Sequence, residues 1–123
     1  DGNVETSWFT AAGDNVSAGK TPWAAVTFPA DVAVQRVTVL GNREPQHPSG
    51  YGVLAGRLEL LNADGVTVIR MDREGSGERF DFDFVLAEPF DRVRTVRFTI
   101  TKDESTKENA ASHCAGLAEV MVE

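Results

Sequence analysis

A chain of 123 residues with 41% hydrophobic side chains is sized for one domain with a core of its own, which excludes a disordered tail. Its formal charge of −7, from 19 acidic and 12 basic side chains with no basic cluster, repels phosphate and so excludes a nucleic-acid surface. No apolar run approaches the roughly 20 residues of a membrane-spanning helix, and Cys114, the only cysteine, has no partner for an intrachain disulfide.

The opening residues Asp1-Gly2-Asn3 carry neither the basic start nor the apolar run of a signal peptide, and the chain is expected to be a piece of a longer protein. Residues 10–21 are polar and irregular and contain the glycosylation sequon Asn15-Val16-Ser17. A short apolar strand is expected over residues 23–28 (WAAVTF), introduced by Pro22 and ended by Pro29. A second covers residues 34–41, with Val37 and Val39 on one face and Arg36 and Thr38 on the other. Residues 44–56 are too rich in polar, Gly and Pro residues for a strand, and long loops on a rigid scaffold are where binding resides. Residues 57–62 and 66–70 flank Ala63-Asp64-Gly65, a hairpin signal because Gly accepts positive φ. Phe80, Phe82, Phe84 and Leu86 then alternate with Asp81, Asp83 and Val85, and Val96, Phe98 and Ile100 alternate with Thr95, Arg97 and Thr99. Residues 102–112 have the polarity of a loop, with one helical turn near residues 108–111, and residues 117–122 (LAEVMV) close the chain. Seven short strands without crossover helices predict an all-β sandwich or barrel in a single domain, residues 1–123.

Catalytic patterns are weak. Asp81 and Asp83, two apart on a strand, sit roughly 6.5–7 Å apart on one face, within the carboxylate spacing of inverting glycosidases. Their ordinary reading is a solvated outer face opposite the phenylalanines. His113 and Cys114 are adjacent, so in an extended chain they point opposite ways, and an activated thiol needs its base in contact. No phosphate-binding Gly-rich loop or nucleophile elbow occurs. Asp1-x-Asn3-x-Glu5 opens like an EF-hand, but Thr6 stands where Gly is needed and Ala12 where the closing Glu should be. Two histidines and one cysteine make no zinc cluster. The expectation is a binding domain and not an enzyme.

Four segments in order resemble the discoidin family, also called coagulation-factor type C or galactose-binding-like domains. They are Asp1-Gly2-Asn3-x-x-Thr6-x-Trp8, Pro22-Trp23-Ala24-Ala25-Val26-Thr27-Phe28, Val37-Thr38-Val39-Leu40-Gly41-Asn42-Arg43 and Gly116-Leu117-Ala118-Glu119-Val120. The resemblance implies a jelly-roll β-sandwich of antiparallel strands, with Trp8 and Trp23 packed in its core. It also implies a structural calcium ion where the opening loop meets the last strand. Asp1 and Glu119 would act as carboxylate ligands, Thr6 as a hydroxyl or carbonyl ligand, and Asn3 and Ala118 through backbone carbonyls. Calcium chemistry accepts such an all-oxygen set in an irregular loop. Glu119 lies among Leu117, Val120 and Val122, where an unpaired buried carboxylate would be costly.

The resemblance further implies a carbohydrate site on loops at one end of the sandwich, to which the long loop contributes Arg43, Glu44, His47 and Tyr51 and the last loop His113 and Asn109. Arg43 is the leading candidate, since its planar fork suits adjacent hydroxyls. Its ordinary reading is an ion pair to a neighbour, and that of His47 and Tyr51 is loop packing. Fucose lectins of this fold carry Arg-x-Asp; here Glu44 and then Pro45 follow Arg43, so that specificity is disfavoured. The implied role is a secreted or cell-surface recognition module that binds a glycan. The alternative is a protein–protein or scaffold domain with no small-ligand site.

Overall fold

A computed structural model describes Asn3 and residues 7–123. Six strands are present among them: β1 (Trp8–Phe9), β2 (Trp23–Gly41), β3 (Val53–Leu61), β4 (Thr67–Glu74), β5 (Phe82–Asp103) and β6 (Gly116–Val122). They are hydrogen-bonded in the order β1-β6-β2-β5-β3-β4, and each pairing is antiparallel.

The two long strands turn this one ladder into two layers. β2 and β5 pair along most of their length, but the register shifts three times between Thr27 and Arg36. Such irregularities bend a strand and increase its twist. Beyond the bend, residues 37–41 of β2 pair with β6; on the other side, residues 95–103 of β5 pair with β3. One layer therefore holds β1, β6 and the facing halves of β2 and β5, and the other holds their remaining halves with β3 and β4.

Where separate strands over residues 23–28 and 34–41 were expected, the backbone continues as one strand of 19 residues. Pro29 does not end it, because no ladder pair falls between Thr27 and Val32 and a missing N–H costs nothing there. The expected strands around Phe82 and Phe98 are likewise one element of 22 residues, bent where Arg92 adopts φ 63°. The helical turn near residues 108–111 is reduced to turns, in which the carbonyl of Asn109 accepts the N–H groups of Ser112 and His113 at 3.0 and 2.9 Å.

The core lies between the layers. Val34, Val37, Val39, Phe82, Phe84 and Leu117 face Leu58, Leu60, Val96, Phe98 and Ile100, all buried. The Phe82 and Phe98 rings meet edge to face with centroids 4.9 Å apart. Burying each such side chain contributes about 1.5–3 kcal/mol, so the alternation read from the sequence is also the main stabilising pattern.

The two tryptophans correct an expectation: Trp8 is 45% and Trp23 57% exposed. Trp23 pairs with Thr99, between the inward-facing Phe98 and Ile100, so period two turns the indole outward. Trp8 lies on a two-residue strand paired on one side, to β6.

Candidate functional site

The loop after β2 is shaped by Asn42. Its side-chain oxygen accepts from the Glu44 N–H at 3.0 Å and from the Ser7 hydroxyl at 2.7 Å. Its amide donates to the His47 carbonyl at 2.6 Å. This local turn chemistry brings Glu44 and His47 together, with His47 Nδ1 3.0 Å from a Glu44 carboxylate oxygen. The loop then returns to β3 through Tyr51, whose carbonyl accepts the Gly116 N–H at the start of β6.

Tyr51 is the centre of an aromatic cluster. Its ring meets Phe9 at 5.7 Å and His47 at 5.0 Å edge to face, and stacks on His113 at 6.3 Å. Three expected site residues, His47, Tyr51 and His113, are thus gathered, and Glu44 joins through His47. Arg43 is not. Its guanidinium holds both oxygens of Asp81 at 2.8 and 2.7 Å and donates to the Gly41 carbonyl at 3.0 Å. These bonds fix the end of β2, because Asp81 also accepts the Gly41 N–H at 2.9 Å. Arg43 holds the Asp81 carboxyl below the usual carboxylate range, against the opposing effect of burial.

That direction bears on the carboxylate pair. A glycosidase needs one carboxyl with a raised pKa, whereas Asp81 is lowered. Asp83 is an exposed partner of Arg36, at 2.8 and 3.1 Å. Phe80 does not share the strand alternation, because its backbone is left-handed at φ 55° and β5 starts at Phe82.

The last loop is latched by residues that sequence reasoning did not select. Asn15, read there only as part of a sequon, is fully buried. Its side-chain nitrogen donates to the carbonyls of Ala110 at 2.7 Å and His113 at 3.1 Å, and its oxygen accepts from the Ala18 N–H at 2.9 Å. That last bond caps a short 3-10 turn, Val16–Ala18. Asp103, also buried, accepts from the Val16 N–H at 3.0 Å and from the Ser105 hydroxyl. An Asn or Asp beside a turn is the one sequence signal these residues carry.

Two hollows flank residues 49–51. One, about 320 Å³, lies between Tyr51 and the last loop and is lined by Ser49, Asn109, Ser112, His113 and the half-buried free cysteine Cys114. The other, about 190 Å³, lies on the opposite side, against Phe80, Glu78, Arg79 and Glu104. Both are walled by an aromatic ring and by hydroxyl, amide or charged groups.

Of the residues expected to bind a cation, Asp1 and Thr6 lie outside the described residues. Ala118 and Glu119 are half-buried on β6, and Asn3 is exposed. Opposite β2 the register runs Leu40↔Glu119 and then Gly41↔Leu117, so Ala118 is the extra residue of a bulge. Asn3 and Glu119 each engage a partner. No group of three or more His, Cys, Asp or Glu gathers among the described residues.

No protein-family model and no curated protein matches the chain. Solved structures do. A family 32 carbohydrate-binding module from C. perfringens NanJ, in complex with galactose, superposes with a TM-score of 0.74 over 99% of this chain and 79% of its own, at 17% identity. The lectin domain of lectinolysin, complexed with Lewis B antigen, gives 0.70 over 100% and 79%, also at 17% identity. The chain has the discoidin-type fold. A Streptococcus pneumoniae fucose-binding module shares it too, with a TM-score of 0.68 over 100% and 80% at 13% identity. At these identities the likeness is one of architecture, and the discoidin-type sandwich found here is the jelly roll expected from the four ordered segments.

Proposed function

We propose that the chain is a non-catalytic carbohydrate-binding module of a secreted or cell-surface protein, with its glycan in the hollow between Tyr51 and His113. The observation that carries this reading is the cluster around Tyr51. A half-exposed aromatic ring offers a face to the C–H patch of a sugar, while Ser49, Asn109, Ser112 and His113 supply polar atoms for its hydroxyls. His113 Nε2 is buried without a hydrogen-bond partner among the described residues, so a sugar hydroxyl or a water is needed to satisfy it. The three neighbours, whose ligands are galactose, Lewis B antigen and fucose, share the fold and give the reading its ligand class.

Arg43 lines neither hollow and holds Asp81 and the Gly41 carbonyl instead, so a direct contact to the sugar is the weakest part of the reading. Glu44 and His47 support the Tyr51 ring. Galactose is favoured over fucose because Glu44 and Pro45 stand where fucose lectins carry their x-Asp pair.

The same proposal includes a structural calcium ion held by Asp1, Asn3, Thr6, Ala118 and Glu119. The bulge supports it, since an extra residue leaves the ladder and frees its carbonyl next to the Glu119 carboxylate. A set of carbonyl, hydroxyl and carboxylate oxygens suits calcium and no softer metal.

A glycan array tests the function. The wild-type protein is expected to capture neutral galactose-terminated glycans. Tyr51→Ala is expected to lose about 30-fold in affinity, about 2 kcal/mol, the scale of an anchoring aromatic. Arg43→Ala separates a sugar donor from an ion pair that only holds the end of β2. Silence of the folded wild type across the array would overturn the reading in favour of a protein-binding scaffold.

A further inference from the structure

The hollow on the far side of residues 49–51 belongs to none of the ligand chemistry assigned above, apart from the shared Ser49 and Tyr51. Three observations mark it as built. First, Phe80 holds a left-handed backbone at φ 55°, which a bulky aromatic residue adopts only when its surroundings enforce it. Second, two neighbouring segments make room for this turn with glycine. A Cβ on Gly41 would lie 1.6 Å from the Arg79 carbonyl, and one on Gly52 would lie 2.8 Å from the Phe80 ring. Third, Glu104 at the end of the β5 layer accepts the Gly52 N–H at 2.9 Å, which fixes the loop against that ring. The result is a second aromatic residue, beside Tyr51, in the lining of the hollow.

Size and charge say what this hollow takes. At about 190 Å³ it falls below the roughly 300 Å³ at which small-molecule sites begin, so it holds part of a ligand and not a whole one. It shares Ser49, Gly50 and Tyr51 with the hollow beside His113, so the remainder of that ligand lies next door. Its rim carries two carboxylates, Glu78 and Glu104, against one guanidinium, Arg79. That balance accepts a neutral sugar and disfavours a sialic or uronic acid.

We propose that the Phe80 hollow is a second subsite, and that the ligand is a neutral oligosaccharide of at least two residues crossing the 49–51 ridge. This rests on the carbohydrate reading above and deepens it. One sugar packs by Tyr51 and His113, and the next packs its C–H face on Phe80.

Calorimetric titration with galactose, a neutral galactose-terminated disaccharide and its sialylated counterpart tests the proposal. The wild type is expected to bind the neutral disaccharide about tenfold tighter than galactose, the effect of one added aromatic contact. The sialylated form should show no such gain. Phe80→Gly suits the positive φ and removes the ring. It is expected to bring the disaccharide down to the affinity of galactose while leaving galactose binding within twofold of the wild type. Nuclear Overhauser contacts from the second sugar to the Phe80 ring of the wild-type protein give an answer that needs no variant. Galactose binding without any gain from the second sugar overturns the subsite and leaves the carbohydrate reading intact. A Phe80→Gly protein that loses both sugars equally also overturns it. Binding of no sugar at all overturns the carbohydrate reading as well.

Discussion

Phe82, Phe84 and Phe98 form one aromatic cluster, and Phe9, His47, Tyr51 and His113 form another. Ring centroids lie 4.9–6.2 Å apart in the first and 5.0–6.3 Å apart in the second. Contact geometry does not distinguish them. Composition and surroundings do. The first has no polar atom and is closed on both faces by the two layers, whereas three of the four rings in the second carry nitrogen or oxygen and two of them, Tyr51 and His113, line a hollow. Similar ring contacts therefore serve stability where water is excluded, and under the proposed function they would serve recognition where one face is left open.

Substitutions that separate stability from binding sharpen this contrast. The largest effect is expected in the interior. Phe98→Ala should cost about 3–5 kcal/mol in urea denaturation, from lost burial plus the cavity left behind, while the folded fraction keeps its sugar affinity. A cost below about 1 kcal/mol would show that the layers are not closed around this ring.

Calcium is expected to act with the interior. At about 100-fold excess over its Kd it should stabilise the fold by about 2.7 kcal/mol. Chelation should lower the Tm and calcium should restore it. A melt indifferent to both would remove the cation from the account.

Asn15 is expected to join the two behaviours. Asn15→Ala leaves the carbonyls of Ala110 and His113 without their buried donor and should cost about 1–3 kcal/mol. Because those bonds hold the loop that carries His113, sugar affinity should fall too. A stability loss with affinity unchanged would show that the latch serves the fold alone.

The smallest effect is expected at the Arg43–Asp81 pair. Asp81 has a folded pKa below its unfolded value, so the pair stabilises the protein above about pH 3.9 and the contribution is lost as pH falls through the folded pKa. Both side chains are partly exposed, so the gap between wild type and Arg43→Ala at pH 7 should be about 0–1 kcal/mol. Denaturation at descending pH should close that gap, and a gap that widens would contradict the assignment.

The fold was legible because period two repeats so regularly. The inward positions Val37, Val39, Phe82, Phe84, Val96, Phe98 and Ile100 were all read from alternation and all are buried. Strand continuity was not legible, because Pro29 looks like a terminator until the irregular register beside it is seen. The tryptophans were misplaced for a related reason: size argues for burial, whereas position opposite Thr99 turns Trp23 out. Within the candidate site, His47, Tyr51 and His113 were found by residue type and loop. Asn15, Asp103 and Phe80 were missed, since Asn15 and Asp103 act through bonds that span 95 and 87 residues, and Phe80 through its packing on the distant Gly52, which no local pattern records. For Arg43 the ordinary reading, an ion pair, describes the geometry, but the partner is Asp81, 38 residues along the chain and not a local one.

A map of backbone amide shifts during galactose titration of the wild-type protein tests the central claim most directly. The account predicts that the changes concentrate at residues 49–52 and 109–114, around the Tyr51 and His113 rings. Shifts confined to the outer faces of the layers, or none at saturating sugar, would contradict it.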